Sequence, residues 1–139
     1  MTTIDVLKNK ISETDKYLET VKKYQIYSKE KILQDVTLRG AVERYLYLLC
    51  QSAIDLGEAI ISYHNLRSPS TYAEIFEILN EKELISGEVA LEMEKMAGFR
   101  NILAHAYGKT DFAIVYQVLT QDIKKIAIYI NRLRKKLNL

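Results

Sequence analysis

Apolar residues recur along most of the chain at three- and four-residue steps, the spacing of one helix face rather than the alternation of a strand. Ile4, Leu7, Ile11, Leu18 and Val21 follow it, with Thr14 in the remaining seam position and Asp, Glu and Lys elsewhere. That pattern predicts an amphipathic helix ending near Tyr24 to Ser28. Val42, Leu46, Leu49, Ala53, Leu56, Ile60 and Tyr63 form a second and longer stripe, with Ile32, Leu33 and Val36 extending it at the front. A stripe of that length suits a bundle helix packed along a partner at a shallow angle.

Asn65 to Ser70, around Pro69, breaks the pattern and reads as a loop. Ser70 is placed to cap a short helix in which Ile75, Phe76 and Leu79 are apolar. Ser86-Gly87 then precedes a helix with Val89, Met93, Met96 and Ala97, which Gly108 is suited to stop by adopting a left-handed conformation. Thr110 or Asp111 can cap the last helix, whose stripe is Phe112, Val115, Leu119, Ile123, Ile126, Ile130, Leu133 and Leu137. No alternation long enough for a sheet, no internal repeat and no low-complexity segment interrupts this. The expected fold is all-α: an antiparallel bundle of four long helices plus one short helix, a single domain over residues 1–139.

Composition narrows the class. Hydrophobic content of 48% and charged content of 27% argue against disorder, and one Pro with five Gly fits helices better than a turn-rich β protein. A single cysteine, Cys50, excludes an intrachain disulfide. The N-terminus carries no signal-peptide pattern and no apolar run approaches the roughly 20 residues of a membrane span, so a cytoplasmic domain is expected. The net charge of +2 is not that of a globally basic nucleic-acid binder. Lys124, Lys125, Arg132, Arg134, Lys135 and Lys136 are read as a solvated helix end whose cations face the C-terminal dipole.

Gly-rich phosphate loops, paired cysteines and His-x-x-x-His spacing are all absent, which leaves P-loop and zinc chemistry without support, and no cofactor is expected. His64 reads as an exposed helix-end residue, and Tyr45, Tyr63 and Tyr116 as seam residues. Candidate chemistry gathers in Phe99-Arg100-Asn101-Ile102-Leu103-Ala104-His105-Ala106-Tyr107. At about 100° per residue, Arg100 and Tyr107 lie roughly 20° apart on a helix, whereas Arg100 and His105 diverge by about 140°. Asn101 and His105, four apart, share a line, so the amide can orient the imidazole. An arginine fork suits a phosphodiester, and a histidine can take and return protons near neutral pH. Together they could cleave RNA without metal. The competing interpretation is an ordinary helix with a surface arginine and a packing tyrosine. The angular divergence leaves two ways to a site: a ring freed at the helix end, or a cleft shared by two copies of the chain.

Arg100-Asn101-x-x-x-His105-x-Tyr107 resembles the R-x4-H-x-Y signature of the HepT-like branch of the HEPN superfamily. The resemblance extends to Arg39-Gly40-Ala41-Val42-Glu43-Arg44-Tyr45-Leu46, to Tyr72-Ala73-Glu74-Ile75-Phe76-Glu77-Ile78-Leu79 and to Met96-Ala97-Gly98-Phe99. It implies a HEPN-like bundle forming a homodimer with two motifs in one cleft. It also implies a metal-independent endoribonuclease toxin of a type VII toxin–antitoxin pair, with RNA as substrate, Arg100 and His105 catalytic, and Asn101 and Tyr107 supporting. The implied partner is a separate, MntA-like nucleotidyltransferase antitoxin that adenylylates Tyr107. Asp55 and Arg44 are read as structural. The alternative from another class is a non-catalytic helical module that binds a nucleotide or a nucleotidyltransferase.

Overall fold

The computed structural model describes residues 2–105 and 109–139, and among them the regular structure is helical throughout. Helix α1 spans Ile4–Lys22 and runs into a 3₁₀ turn at Lys23–Ile26; α2 is Lys29–Gln34, α3 Val36–Tyr63, α4 Tyr72–Glu81 and α5 Gly87–His105. Helix α6, Phe112–Gln117, passes through a π-helical turn at Val118–Asp122 into α7, Ile123–Lys136. The long helices run antiparallel where they meet. Thr2 and Thr14 of the N-terminal region bond Ser62 and Ser52 of α3, and Glu92 and Ser86 face Lys125 and Arg132 in the opposite order. No helix among the described residues is long and apolar enough to cross a membrane.

The predicted seams form the core. Leu7, Ile11, Leu18 and Val21 of α1 are buried with Val42, Leu46, Leu49, Ala53, Leu56 and Ile60 of α3, and with Val115, Leu119, Ile123, Ile126, Ile130 and Leu133 of the last helix. Thr14 occupies its seam position fully buried because its hydroxyl is satisfied twice, by donation to the Lys10 carbonyl at 2.8 Å and by sharing a 2.6 Å bond with Ser52. A buried hydroxyl is tolerated on those terms.

Two boundaries and one turn inside the last helix differ from the sequence expectation, each for a local reason. Ile32 and Leu33 do not extend α3. Asp35 is extended (φ −112°, ψ 101°) and its carboxylate accepts from the Leu38 N–H, so it caps α3 and sets α2 apart as a short helix of its own. Helix α4 is capped by Thr71 rather than Ser70. Thr71 accepts from the Glu74 N–H at 3.1 Å, while Glu74 reaches back to the Ser70 N–H at 3.0 Å; only Thr71 has a glutamate three residues on to close this reciprocal arrangement. The last helix starts, as one of two options allowed, at Asp111, but widens to a π turn where the Gln25 amide donates to the Leu119 carbonyl at 2.8 Å. A polar group from a neighbour competing for a helix carbonyl is a known cause of such distortions. The expected stop at Gly108 lies outside the described residues.

The basic C-terminal stretch is more structural than a solvated end. Arg134 is ion-paired to Asp15 of α1, and Lys125 to Glu92 of α5 at 2.7 Å. His64 sits at the exposed C-terminus of α3, its ring edge-on to Tyr63.

Candidate active site

Helix α3 carries a second stripe beside its apolar seam. Arg44, Tyr47, Gln51, Asp55 and Glu58 recur at steps of three and four, so they share a face, and that face meets α5 at Arg100. The Arg100 Nε–H donates to Gln51 Oε1 at 2.7 Å, and one terminal nitrogen donates to the Tyr47 hydroxyl at 3.1 Å. The other terminal nitrogen donates to Asn101 Oδ1 at 3.0 Å. Gln51 is itself oriented: its amide N–H₂ donates to Asp55 Oδ1 at 2.8 Å, which turns its oxygen toward Arg100. The guanidinium carbon lies 5.1 Å from the Tyr47 ring centroid and 5.2 Å from that of Tyr72. Both distances are within cation–π range.

Every acceptor on Arg100 among the described residues is neutral. A guanidinium has five N–H donors, and three of Arg100's are engaged. Among the described residues the remaining two, one on each terminal nitrogen, have no acceptor, which leaves them and the full positive charge to an anion. Asp55 stabilises this arrangement through the Gln51 amide instead of by direct pairing, so the charge is positioned but not cancelled. Glu58, at the far end of the stripe, has its carboxyl raised above the usual range by desolvation and then by the Asp55 charge, against the pull of Lys10. Beneath the cluster the Cys50 thiol is buried and pushed up to about 12, because burial outweighs the influence of Arg100. It is a packing residue and not a nucleophile.

Of the residues expected from sequence, the structure sets Arg100 half-buried against α3 and His105 exposed as the last residue of α5. Tyr107 lies outside the described residues. Asn101 differs from expectation in its partner: its amide oxygen accepts from Arg100, not from the His105 ring. Asp55, read as structural, belongs to the site face. Tyr47 and Gln51 escaped the sequence reading altogether, although polar residues at helical steps alongside an apolar seam were a signal for both; Tyr72 entered only as part of the family resemblance, with no role at the site. No group of three or more His, Cys, Asp and Glu among the described residues is placed to hold a metal.

Two cavities flank the arginine. One, of about 320 Å³, is lined by Glu58, Pro69, Ser70, Thr71, Tyr72 and Asn101. The other, of about 270 Å³, is lined by Glu43, Arg44, Tyr47, Leu103 and Ala104.

Comparison with known proteins places this geometry in a family. The model of the family described as Ribonuclease HepT-like matches residues 14–133. The tRNA nuclease HepT of Aphanizomenon flos-aquae is 26% identical, over 99% of this chain and 95% of that protein. The mRNA nuclease HepT of Shewanella oneidensis is 27% identical, over 91% and 95%. Among solved structures, the tri-AMPylated HEPN toxin of Shewanella oneidensis in complex with an MNT antitoxin superposes with a TM-score of 0.84 at 25% identity, over 94% of this chain and 98% of that one. YutE of Bacillus subtilis, a cytosolic protein, shares the fold with a TM-score of 0.78 at 21% identity, over 94% and 90%.

Proposed function

The chain belongs to the ribonuclease HepT-like family, and from that premise we propose that it is the endoribonuclease toxin of a toxin–antitoxin pair, cutting RNA at Arg100 and His105. The observation that carries the reading is the state of Arg100: a half-buried guanidinium held by Gln51, Tyr47 and Asn101 without a carboxylate. Fixing a buried charge without neutralising it costs stability, which an anionic substrate would recover.

His105 takes the proton of a ribose 2′-hydroxyl, and the freed oxygen attacks the adjacent phosphorus. The bond from phosphorus to the 5′-oxygen of the next nucleotide breaks, and that oxygen receives a proton. The products are a 2′,3′-cyclic phosphate and a 5′-hydroxyl. Arg100 stabilises charge on the non-bridging phosphorus oxygens with its two remaining N–H groups. Since Arg100 and His105 diverge by about 140° on one helix, the productive pair comes from two copies of the chain across a homodimer cleft. The antitoxin is a nucleotidyltransferase of the MntA type, and transfer of AMP to Tyr107 would silence the site: a bulky anion close to Arg100 competes with substrate. The AMPylated toxin of Shewanella oneidensis supports this switch.

The test is incubation of the purified chain with RNA in EDTA. Cleavage to cyclic-phosphate ends is expected, with a loss of about 10²–10⁴-fold for His105→Ala, the usual contribution of a general acid–base group. An inactive wild type overturns the assignment in favour of a binding module, and undiminished cleavage by the mutant overturns the role of His105. Mixing Arg100→Ala with His105→Ala chains tests the shared cleft through recovery of activity.

A further inference from the structure

One arginine near the site plays no part in the chemistry above. Arg44 lies one helical turn before Tyr47 on the site face of α3, exposed, with its guanidinium carbon 5.3 Å from the Tyr47 ring centroid. Arg100 approaches the same ring at 5.1 Å. Two guanidinium groups are thus gathered on one phenol, and among the described residues no carboxylate pairs with either. Glu43, which lines the same cavity, is ion-paired elsewhere: its Oε1 accepts from the Arg39 Nε–H at 3.1 Å. An exposed guanidinium with no carboxylate partner keeps its charge and its planar fork for an anion.

The cavity lined by Glu43, Arg44, Tyr47, Leu103 and Ala104 lies at this point, directly along α5 from Arg100 toward His105. Its volume of about 270 Å³ is near the lower bound of small-molecule pockets. The Tyr47 hydroxyl accepts from Arg100 and so keeps its own proton to donate. Arg44 brings a fork and Tyr47 a hydroxyl donor to the cavity lining, Leu103 and Ala104 add apolar surface, and Glu43 is the one carboxylate among the described lining residues. That set suits a phosphodiester bearing a sugar edge.

We propose that Arg44 and Tyr47 form a second phosphate subsite beside Arg100, which holds a backbone phosphodiester of single-stranded RNA next to the one being cut. This rests on the ribonuclease reading for its ligand. The subsite fixes the register of the strand over the motif helix, while Arg100 handles the reacting phosphate. Its energetic signature is electrostatic, because each phosphate neutralised on a single strand contributes about −0.7 to the slope of log affinity against log salt.

The experiment measures binding of a 2′-O-methylated, uncleavable single-stranded oligonucleotide to wild type, Arg44→Ala and Arg44→Lys across a salt series. Arg44→Ala is expected to bind about tenfold more weakly at 0.1 M salt, the order of one charge-assisted contact, with its salt slope shallower by about 0.7. Arg44→Lys is expected to keep the slope and lose part of the affinity, since it keeps the charge but not the fork. In cleavage assays the Arg44→Ala penalty should appear in KM on an oligonucleotide and vanish on a dinucleoside monophosphate, which has only the scissile phosphate. Equal slopes for wild type and Arg44→Ala, or an equal penalty on both substrates, overturn the subsite. Failure of wild type to cleave any RNA while the slope difference persists overturns the enzyme assignment and supports the subsite. A wild type that neither binds nor cleaves RNA overturns both.

Discussion

On the side of α3 that meets α1 and α7, each polar group is closed by another: Ser52 shares a hydrogen bond with Thr14, and the Ala53 carbonyl accepts from the buried Tyr129 hydroxyl at 2.9 Å. On the side that meets α5, the polar stripe ends in an arginine with donors to spare. The contrast is plain between two arginines that are otherwise alike. Arg39, at the start of α3, stacks on Phe112 at 5.0 Å, donates to the Thr110 carbonyl at 3.0 Å and is ion-paired to Glu43. Arg100 also stacks on aromatic rings and also donates to neutral oxygens, yet no carboxylate completes its set among the described residues. The first ties α3 to the start of α6. The second keeps two N–H groups without a partner among the described residues. What separates the two arginines is the charge of their partners, not their burial or their stacking.

The comparison is best broken by making Arg100 resemble Arg39. Gln51→Glu places a carboxylate where the amide oxygen now accepts, at nearly constant size, and should pair with the guanidinium. RNA cleavage is expected to fall about 10²-fold, the scale of losing one preorganised donor to a developing oxyanion, with the thermal midpoint unchanged or raised. Full activity in this variant would show that Arg100 need not be free. Gln51→Glu also puts a second acid beside Asp55, so a variant with Asp55→Asn added separates repulsion between the acids from capture of the arginine.

The closed side of α3 should respond in stability and not in chemistry. A Cβ on Gly57 would lie 2.6 Å from the Ile75 side chain and 3.0 Å from the Tyr129 hydroxyl. Ile75 and Tyr129 are themselves fully buried, so neither has room to withdraw. Gly57→Ala is expected to destabilise by about 1–3 kcal/mol as overpacking does, which lowers the thermal midpoint by roughly 2–4 °C per kcal/mol. Activity per folded molecule below the transition should be retained. A midpoint equal to wild type would mean that α4 and α7 can shift away from α3.

Cys50 lies between the two sides and offers a pH test. Its thiol is pushed from 9.0 up to about 12 by burial. The unfolded chain loses this proton above pH 9 while the folded chain keeps it, so stability is fully present below pH 9 and declines as pH rises toward 12. At pH 10 the loss from this group is on the order of 1 kcal/mol. The phenol of Tyr129, also raised by burial, adds to the decline at higher pH. Urea midpoints should fall between pH 8 and pH 10, and less steeply in Cys50→Ala. An identical fall in both would remove the thiol from the account, and ready alkylation of the native chain at pH 8 would contradict its burial.

Much of this was legible in the sequence, and the omissions have physical causes. The seams of α1, α3 and the last helix are legible from spacing, because burial of one face imposes the helical period directly; the exception is Tyr63, which the spacing assigns to the α3 seam and which lies exposed at the helix's last turn. The break at Asp35 is not legible, because Ile32 and Val36 keep that period across a cap. Arg100 and His105 are legible as candidate chemistry on one helix. Their support was missed because it lies on another: Gln51 and Tyr47 are some fifty residues earlier. Asp55 was noticed and set aside, since nothing in a sequence distinguishes a carboxylate that orients an amide from one facing water. Asn101 was assigned the wrong neighbour for a related reason. Four-residue spacing favoured His105, but the adjacent guanidinium reached its oxygen first.

The smallest expected effect is on the arginine that resembles Arg100 and differs from it only in partner. Glu43→Gln leaves Arg39 stacked on Phe112 and bonded to Thr110, while removing the charge that completes it. Arg39 and Glu43 are each about a quarter exposed, at 28% and 24%, so water and salt screen part of their attraction. An i,i+4 pair of this kind contributes about 0.3–0.5 kcal/mol. Stability should fall by that much at most, and cleavage should stay within about threefold of wild type. If the threefold limit holds while Gln51→Glu is disabled, partner charge at Arg100 alone governs the chemistry. A rise in affinity for RNA in Glu43→Gln would add something further: the freed Arg39, about 140° around α3 from Arg44, would then meet the strand from a second face.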